Sequence, residues 1–228
     1  MLNDAQVDRY SRQIILPEVG GRGQEKLLAA TLAVVDTVDP QAIVPLYLAA
    51  AGIGRLHIWR PGTTSSREAL DNLADLNPDC GIELWTQPAT LASCAAFIAT
   101  HDPSAVILIE EEAELATQLN AACVAAGRTL LWGRALGAIG YLGVFDPRLH
   151  PGCRVCAVSL GSESDHEREL QALTIATLAT QLAFEAIKLV LTGASPLAGK
   201  MLRIDVATAS VTTVPFASDP RCAVCCRP

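Results

Sequence analysis

Short apolar runs alternate along this chain with longer stretches whose apolar positions recur at helical spacing, a pattern that predicts parallel strands joined by helical crossovers. The short runs predict strands over Leu32–Val35, Arg55–Trp59, Ile82–Trp85, Ala105–Ile109 and Thr129–Trp132. Helices are predicted around them, over 23–30, 41–51 closed by Gly52, 66–76, 91–100 and 112–126 capped by Gly127. Beyond this point the pattern changes. Ala138–Phe145, Lys200–Asp205 and Ser210–Pro215 read as strands suited to antiparallel pairing around one long apolar helix over 170–191. The expected fold is α/β: a Rossmann-like mixed, mainly parallel sheet with flanking helices and a C-terminal antiparallel part carrying paired cysteines.

Composition narrows this picture. With 228 residues, 50% of them hydrophobic and 18% charged, the chain has material for one substantial core, so a single domain over 1–228 is expected. A net charge of −7 without any Lys/Arg run argues against nucleic acid or an acidic membrane surface as partner. The start, Met1-Leu2-Asn3-Asp4, lacks a basic region followed by an apolar one, so no signal peptide is expected and the protein is placed in the cytoplasm. Gln181, Glu185 and Lys188 interrupt the long apolar helix, which therefore reads as buried or dimer-facing rather than as a membrane span.

The strongest chemical signal is Cys153-Arg154-Val155-Cys156 together with Cys222-Ala223-Val224-Cys225. Each pair can turn both sulfurs toward one ion, and four thiolates complete a tetrahedral zinc shell with no open position, which makes such a site structural. Binding energies of roughly 10–16 kcal/mol in small zinc domains would tie the C-terminal tail to the crossover after Pro151. Redox dithiols or coincidence would give the same spacing. Cys226 adjoins a candidate ligand, whereas Cys80, Cys94 and Cys123 read as small core residues and His150 as a loop residue.

The segments Arg9-Tyr10-Ser11-Arg12-Gln13, Gly23-Gln24-Glu25-Lys26-Leu27, Ala49-Ala50-Ala51-Gly52-Ile53-Gly54, Gln118-Leu119-Asn120-Ala121 and Glu185-Ala186-Ile187-Lys188, with the two cysteine pairs, resemble the ThiF/HesA/MoeB superfamily. These are adenylating enzymes related to ubiquitin activation. The resemblance spans almost the whole chain and implies structural zinc on Cys153, Cys156, Cys222 and Cys225. It also implies a dimer, in which the second arginine of the first motif, here Arg12, reaches into the partner's ATP site.

Against that pattern the nucleotide pocket is altered. Active relatives have a glycine-rich turn after the first strand, so that backbone N–H groups approach the phosphates with no Cβ in the way. Here the turn is Asp36-Thr37-Val38-Asp39-Pro40-Gln41. Carboxylates of Asp36 and Asp39 would each repel a phosphate charge by about 1–4 kcal/mol at ~4 Å. Pro40 has no N–H, and Asp39-Pro40 suits a helix start, with Asp39 as N-cap and Pro40 at the first position. Arg60 stands where the family has an acidic residue for the ribose. Glu111 aligns with the family's magnesium-supporting aspartate, but within Glu110-Glu111-Glu112 it is explained by a helix N-terminus. The crossover after Cys156 has no cysteine, so the family's covalent sulfur carrier is missing as well.

ATP is therefore not expected as a cofactor, and no catalytic residue is expected in the chain itself. The leading expectation is a catalytically degenerate member that serves as a non-catalytic partner or scaffold. It would be a homodimer, or a heterodimer with an active relative, in contact with an adenylating enzyme or a ubiquitin-like sulfur-carrier protein. The alternative is an active adenylyltransferase or sulfurtransferase for such a carrier, with a remodelled pocket that uses Arg60 and Glu111.

Overall fold

The computed structural model describes residues 1–35, 42–61, 73, 75–157 and 168–226. One eight-stranded sheet organises them, in the order β3-β2-β1-β4-β5-β6-β7-β8. The strands are β1 (Thr31–Val35), β2 (Arg55–Trp59), β3 (Gly81–Trp85), β4 (Ala105–Glu110), β5 (Thr129–Leu136), β6 (Ile139–Phe145), β7 (Lys200–Asp205) and β8 (Ser210–Pro215). The first five pair in parallel and the last three antiparallel. The mixed sheet expected from the pattern is what forms.

Helices are α1 (Asp4–Arg9), α2 (Ser11–Ile14), α3 (Gly20–Ala29), α4 (Ile43–Ala51), α5 (Leu91–His101), α6 (Ala113–Ala126), the short α7 (Arg154–Ala157) and α8 (Gln171–Thr192). Alternation along the buried strands sends Leu32, Val34, Leu56, Ile58, Ile107 and Leu131 to one face, where α4 and α8 cover them. Ala33, Val35, Trp59, Val106, Leu108 and Trp132 go to the other, under α5 and α6. Every residue of β4 is buried, as a central parallel strand covered on both faces requires. Helix α8 is long and apolar enough to cross a membrane by composition, but Leu178, Leu182, Ala186 and Leu189 on it are core residues packed against the sheet.

Two glycines of the Gly52-Ile53-Gly54 segment have a direct steric reason. Gly52 ends α4 at φ 88°, and a Cβ there would lie 2.8 Å from the Tyr10 ring and 2.4 Å from the Gln24 amide. At Gly54 a Cβ would come within 1.8 Å of the Leu28 carbonyl oxygen, a backbone atom that cannot step aside. Tyr10 is buried, with its hydroxyl in hydrogen-bond contact with Asn77 and Asp79, while Arg9 pairs with Asp79 at 3.2 Å. The Arg-Tyr-x-Arg-Gln motif thus anchors the N-terminus through Arg9 and Tyr10.

Several boundaries differ from expectation. Strand β5 continues four residues past Trp132 to Leu136, because the Gly137 turn folds it back onto β6 with Leu136 opposite Ile139. Helix α4 begins at Ile43 with Ala42 as N-cap at φ 50°; the expected start at Gln41, with Asp39 as N-cap and Pro40 after it, and Asp36 lie outside the described residues. Most of the helix expected over 66–76 also lies outside them, as does the crossover 158–167.

Candidate functional site

The four predicted cysteine ligands converge. Arg154 and Val155 close the first pair within α7, and the second pair sits in the turns after β8. Cys153 Sγ lies 3.7 Å from Cys222 Sγ and Cys156 Sγ 3.5 Å from Cys225 Sγ, with all four sulfurs within 4.8 Å of one another. Zn–S bonds of ~2.3 Å arranged tetrahedrally put sulfurs about 3.8 Å apart, so the cluster already has the dimensions of a zinc shell. All eight cysteines are free thiols. Burial raises the thiols of Cys153 and Cys225. For Cys222 burial pulls the same way, but the backbone N–H groups of Cys225 and Val224, together with neighbouring thiols, outweigh it and push the group down to about 7. These four cysteines could hold one metal ion, each as a thiolate, with no position of a tetrahedral shell left open.

Cys226 approaches Cys225 at 4.0 Å but turns its own sulfur to the Asp219 carbonyl at 3.0 Å. Cys80, Cys94 and Cys123 are buried, and burial raises all three thiols. His150 Nδ1 accepts the Gly152 N–H, and its ring packs on Phe216.

The knuckle is wired into the sheet by the residue between its cysteines. Arg154, 3% exposed, donates from Nε to Glu110 Oε2 at 2.9 Å and closes a second contact through Nη2. Glu110 Oε2 also accepts the Trp132 indole N–H at 2.6 Å, and Arg134 stands 3.7 Å from the other carboxylate oxygen. The Arg154 guanidinium lies 5.5 Å from the Trp132 ring centroid, and its backbone N–H reaches Asn120 Oδ1 on α6. Glu110 is therefore not one of three carboxylates gathered at a helix start. It is the buried last residue of β4, Glu112 is the N-cap of α6, and Glu111 and Glu112 are both exposed.

In an open parallel sheet ligands sit beyond the C-terminal ends of strands, where the strand order reverses. That place here is between β1 and β4, near Val35 and Glu110. Glu111 lines a cleft of about 200 Å³ with Glu110, Arg134 and Gln171, and Arg60 is buried, 8% exposed, just after β2. Arg12 is exposed and makes no ion pair or side-chain hydrogen bond with the described residues, so of the motif's two arginines Arg9 is the one that pairs with the fold. The sequence signal for the Glu110–Arg154–Trp132 cluster is the arginine held between two candidate metal-ligating cysteines.

A Rossmann-like sheet followed by antiparallel strands and a four-cysteine knuckle that could hold a metal ion defines an α/β class. The ThiF family profile matches residues 60–224, and the chain belongs to this family. It is 30% identical to the molybdopterin-synthase adenylyltransferase of Salmonella typhimurium, over 98% of each chain. It is 28% identical to the sulfur carrier protein adenylyltransferase of Thermus thermophilus, over 96% of this chain and 91% of the relative. Among solved structures, E. coli MccB with MccA-N7isoASN superposes with a TM-score of 0.75 at 18% identity, over 99% of this chain and 76% of MccB, a likeness of fold.

Proposed function

We propose that this chain is a catalytically degenerate member of its family, a cytoplasmic non-catalytic partner or scaffold for an adenylating enzyme or a ubiquitin-like sulfur-carrier protein. The observation that carries this reading is Arg60. It is buried just after β2, where the resemblance expects the family's ribose-holding acid, and the sequence 36–41, where the family has its glycine-rich turn, contains no glycine. The relatives' names, which join adenylyl transfer to sulfur-carrier proteins, supply the class of partner. Exposed Ile15, Leu46, Tyr47, Leu173 and Phe184 on or beside α2, α4 and α8 supply apolar surface for a dimer, homodimeric alone or heterodimeric with an active relative. Exposed Arg12 is free to reach a neighbour.

Calorimetry with Mg-ATP and carrier-dependent pyrophosphate exchange test the reading directly. The chain alone gives neither signal. In a heterodimer with an active relative, Arg12→Ala lowers the partner's adenylation by about 10²–10³-fold, the range for a preorganised charge-stabilising group. Micromolar ATP affinity would overturn the proposal in favour of an active adenylyltransferase or sulfurtransferase whose remodelled pocket uses Arg60 and Glu111.

A further inference from the structure

Strand register places two ligating side chains side by side at the sheet edge. β2 and β3 pair in parallel with His57 opposite Glu83, on the face that also carries Ala33 and Trp59. Helix α5 crosses this face, and its last residue, His101, lands over the pair. His57 Nδ1 is 3.2 Å from Glu83 Oε2, His101 Nδ1 is 3.9 Å from the same oxygen, and the two imidazole centroids are 4.0 Å apart. One donor atom from each of the three residues lies within 4.8 Å of the others. Phe97 and Trp85 stack edge-on against His101 and close the apolar side of the cluster. His57 is 3% exposed, whereas the Glu83 side chain, on the edge strand, is 60% exposed and opens the cluster to solvent.

Hydrogen bonding does not satisfy this group. His57 Nδ1 is close to the carboxylate but not aligned with it, and both this atom and His101 Nε2 are buried without a hydrogen-bond partner among the described residues. Buried polar atoms of this kind are rare and call for a ligand or a bound water. We propose that His57, Glu83 and His101 form a second metal site, separate from the cysteine knuckle, that binds zinc with three protein ligands and a fourth position open to water. A tetrahedral ion with ligands at ~2.0–2.1 Å puts donor atoms about 3.3 Å apart, against 3.2 and 3.9 Å from the two imidazoles to the carboxylate oxygen and no more than 4.8 Å between any two donors. Burial lowers the proton affinity of both imidazoles. At His57 the neighbouring His101 and Arg55 act in the same sense and Glu83 opposes them, and at His101 Glu83 is again the opposing group. Two neutral imidazoles and one carboxylate leave a zinc ion with a net positive charge at the sheet edge, where a water or an incoming carboxylate completes the shell.

The test is cobalt(II) and zinc titration of full-length protein whose cysteine site is already loaded. The expected result is a second equivalent, with weak nitrogen/oxygen-type cobalt absorption and no thiolate charge transfer. Glu83→Gln and His101→Ala each weaken that equivalent by more than about 100-fold, the upper range for loss of a mere outer-shell partner. They leave the cysteine-bound metal and the circular dichroism unchanged. Cys222→Ser does the reverse, disturbing the sulfur-bound metal and sparing this one. Failure to bind a second equivalent, or equal affinity in wild type, Glu83→Gln and His101→Ala, overturns the proposal; Glu83→Gln preserves shape, so the answer does not depend on tolerance of the histidine replacement.

Discussion

Replacing Arg154 by methionine keeps the aliphatic stem of the side chain and removes the guanidinium that pairs with Glu110. Both partners are deeply buried, with side-chain exposures of 4% and 2%. Breaking such a pair from one side leaves an uncompensated charge and costs about 3–5 kcal/mol. Glu110 would retain the Trp132 N–H at 2.6 Å and Arg134 at 3.7 Å. The lower end applies, about 3 kcal/mol, which for a chain of 228 residues corresponds to a fall in Tm of roughly 6–12 °C. Urea unfolding of zinc-loaded protein measures it, and a double-mutant cycle isolates the pair. Arg154→Met combined with Glu110→Leu removes both charges from a dry site, so the double variant recovers most of the loss, since apolar replacement of a buried pair is often neutral or better. A cost under about 1 kcal/mol for Arg154→Met, or a double variant as unstable as the sum of the singles, would refute the view that this ion pair ties the knuckle to β4.

Other outcomes follow from the same geometry. Cys222→Ser releases the sulfur-bound metal and frees the C-terminal tail to protease while the strand-helix core keeps its circular dichroism, as metal analysis and limited proteolysis would show. Gly54→Ala forces a Cβ to 1.8 Å from the Leu28 carbonyl and lowers stability by several kcal/mol, on the order of 3 or more, readable as a large fall in Tm. Asp146 is buried, which alone would raise its carboxyl, but hydrogen bonds from the Arg148 guanidinium and backbone N–H and from the Thr129 hydroxyl hold it below the usual carboxylate range. A depressed carboxyl contributes stability that is fully present above its unfolded value of about 4 and is lost as pH falls through the lower folded value. Asp146→Asn therefore flattens the acid side of the stability curve, and thermal melts of both proteins between neutral and strongly acid pH measure the difference.

The sequence by itself determined the class of fold and the four cysteines that could hold a metal ion. Short continuous apolar runs and helical stretches closed by Gly52 and Gly127 are local signals, set by backbone sterics and by what must leave water. The Cys-x-x-Cys pairs are local too, because two residues of spacing suffice to turn both sulfurs toward one ion. Tertiary structure decided what depends on residues distant along the chain. The extension of β5 beyond Trp132 to Leu136 came from its pairing with β6 across the Gly137 turn. Glu110, read locally as one of three acids at a helix start, became a buried ion-pair partner because the knuckle delivers Arg154 to the end of β4. His57, Glu83 and His101 stand on three different elements. Only the register of β2 on β3 and the length of α5 bring their donor atoms together, since no local periodicity encodes where a helix ends above a neighbouring strand.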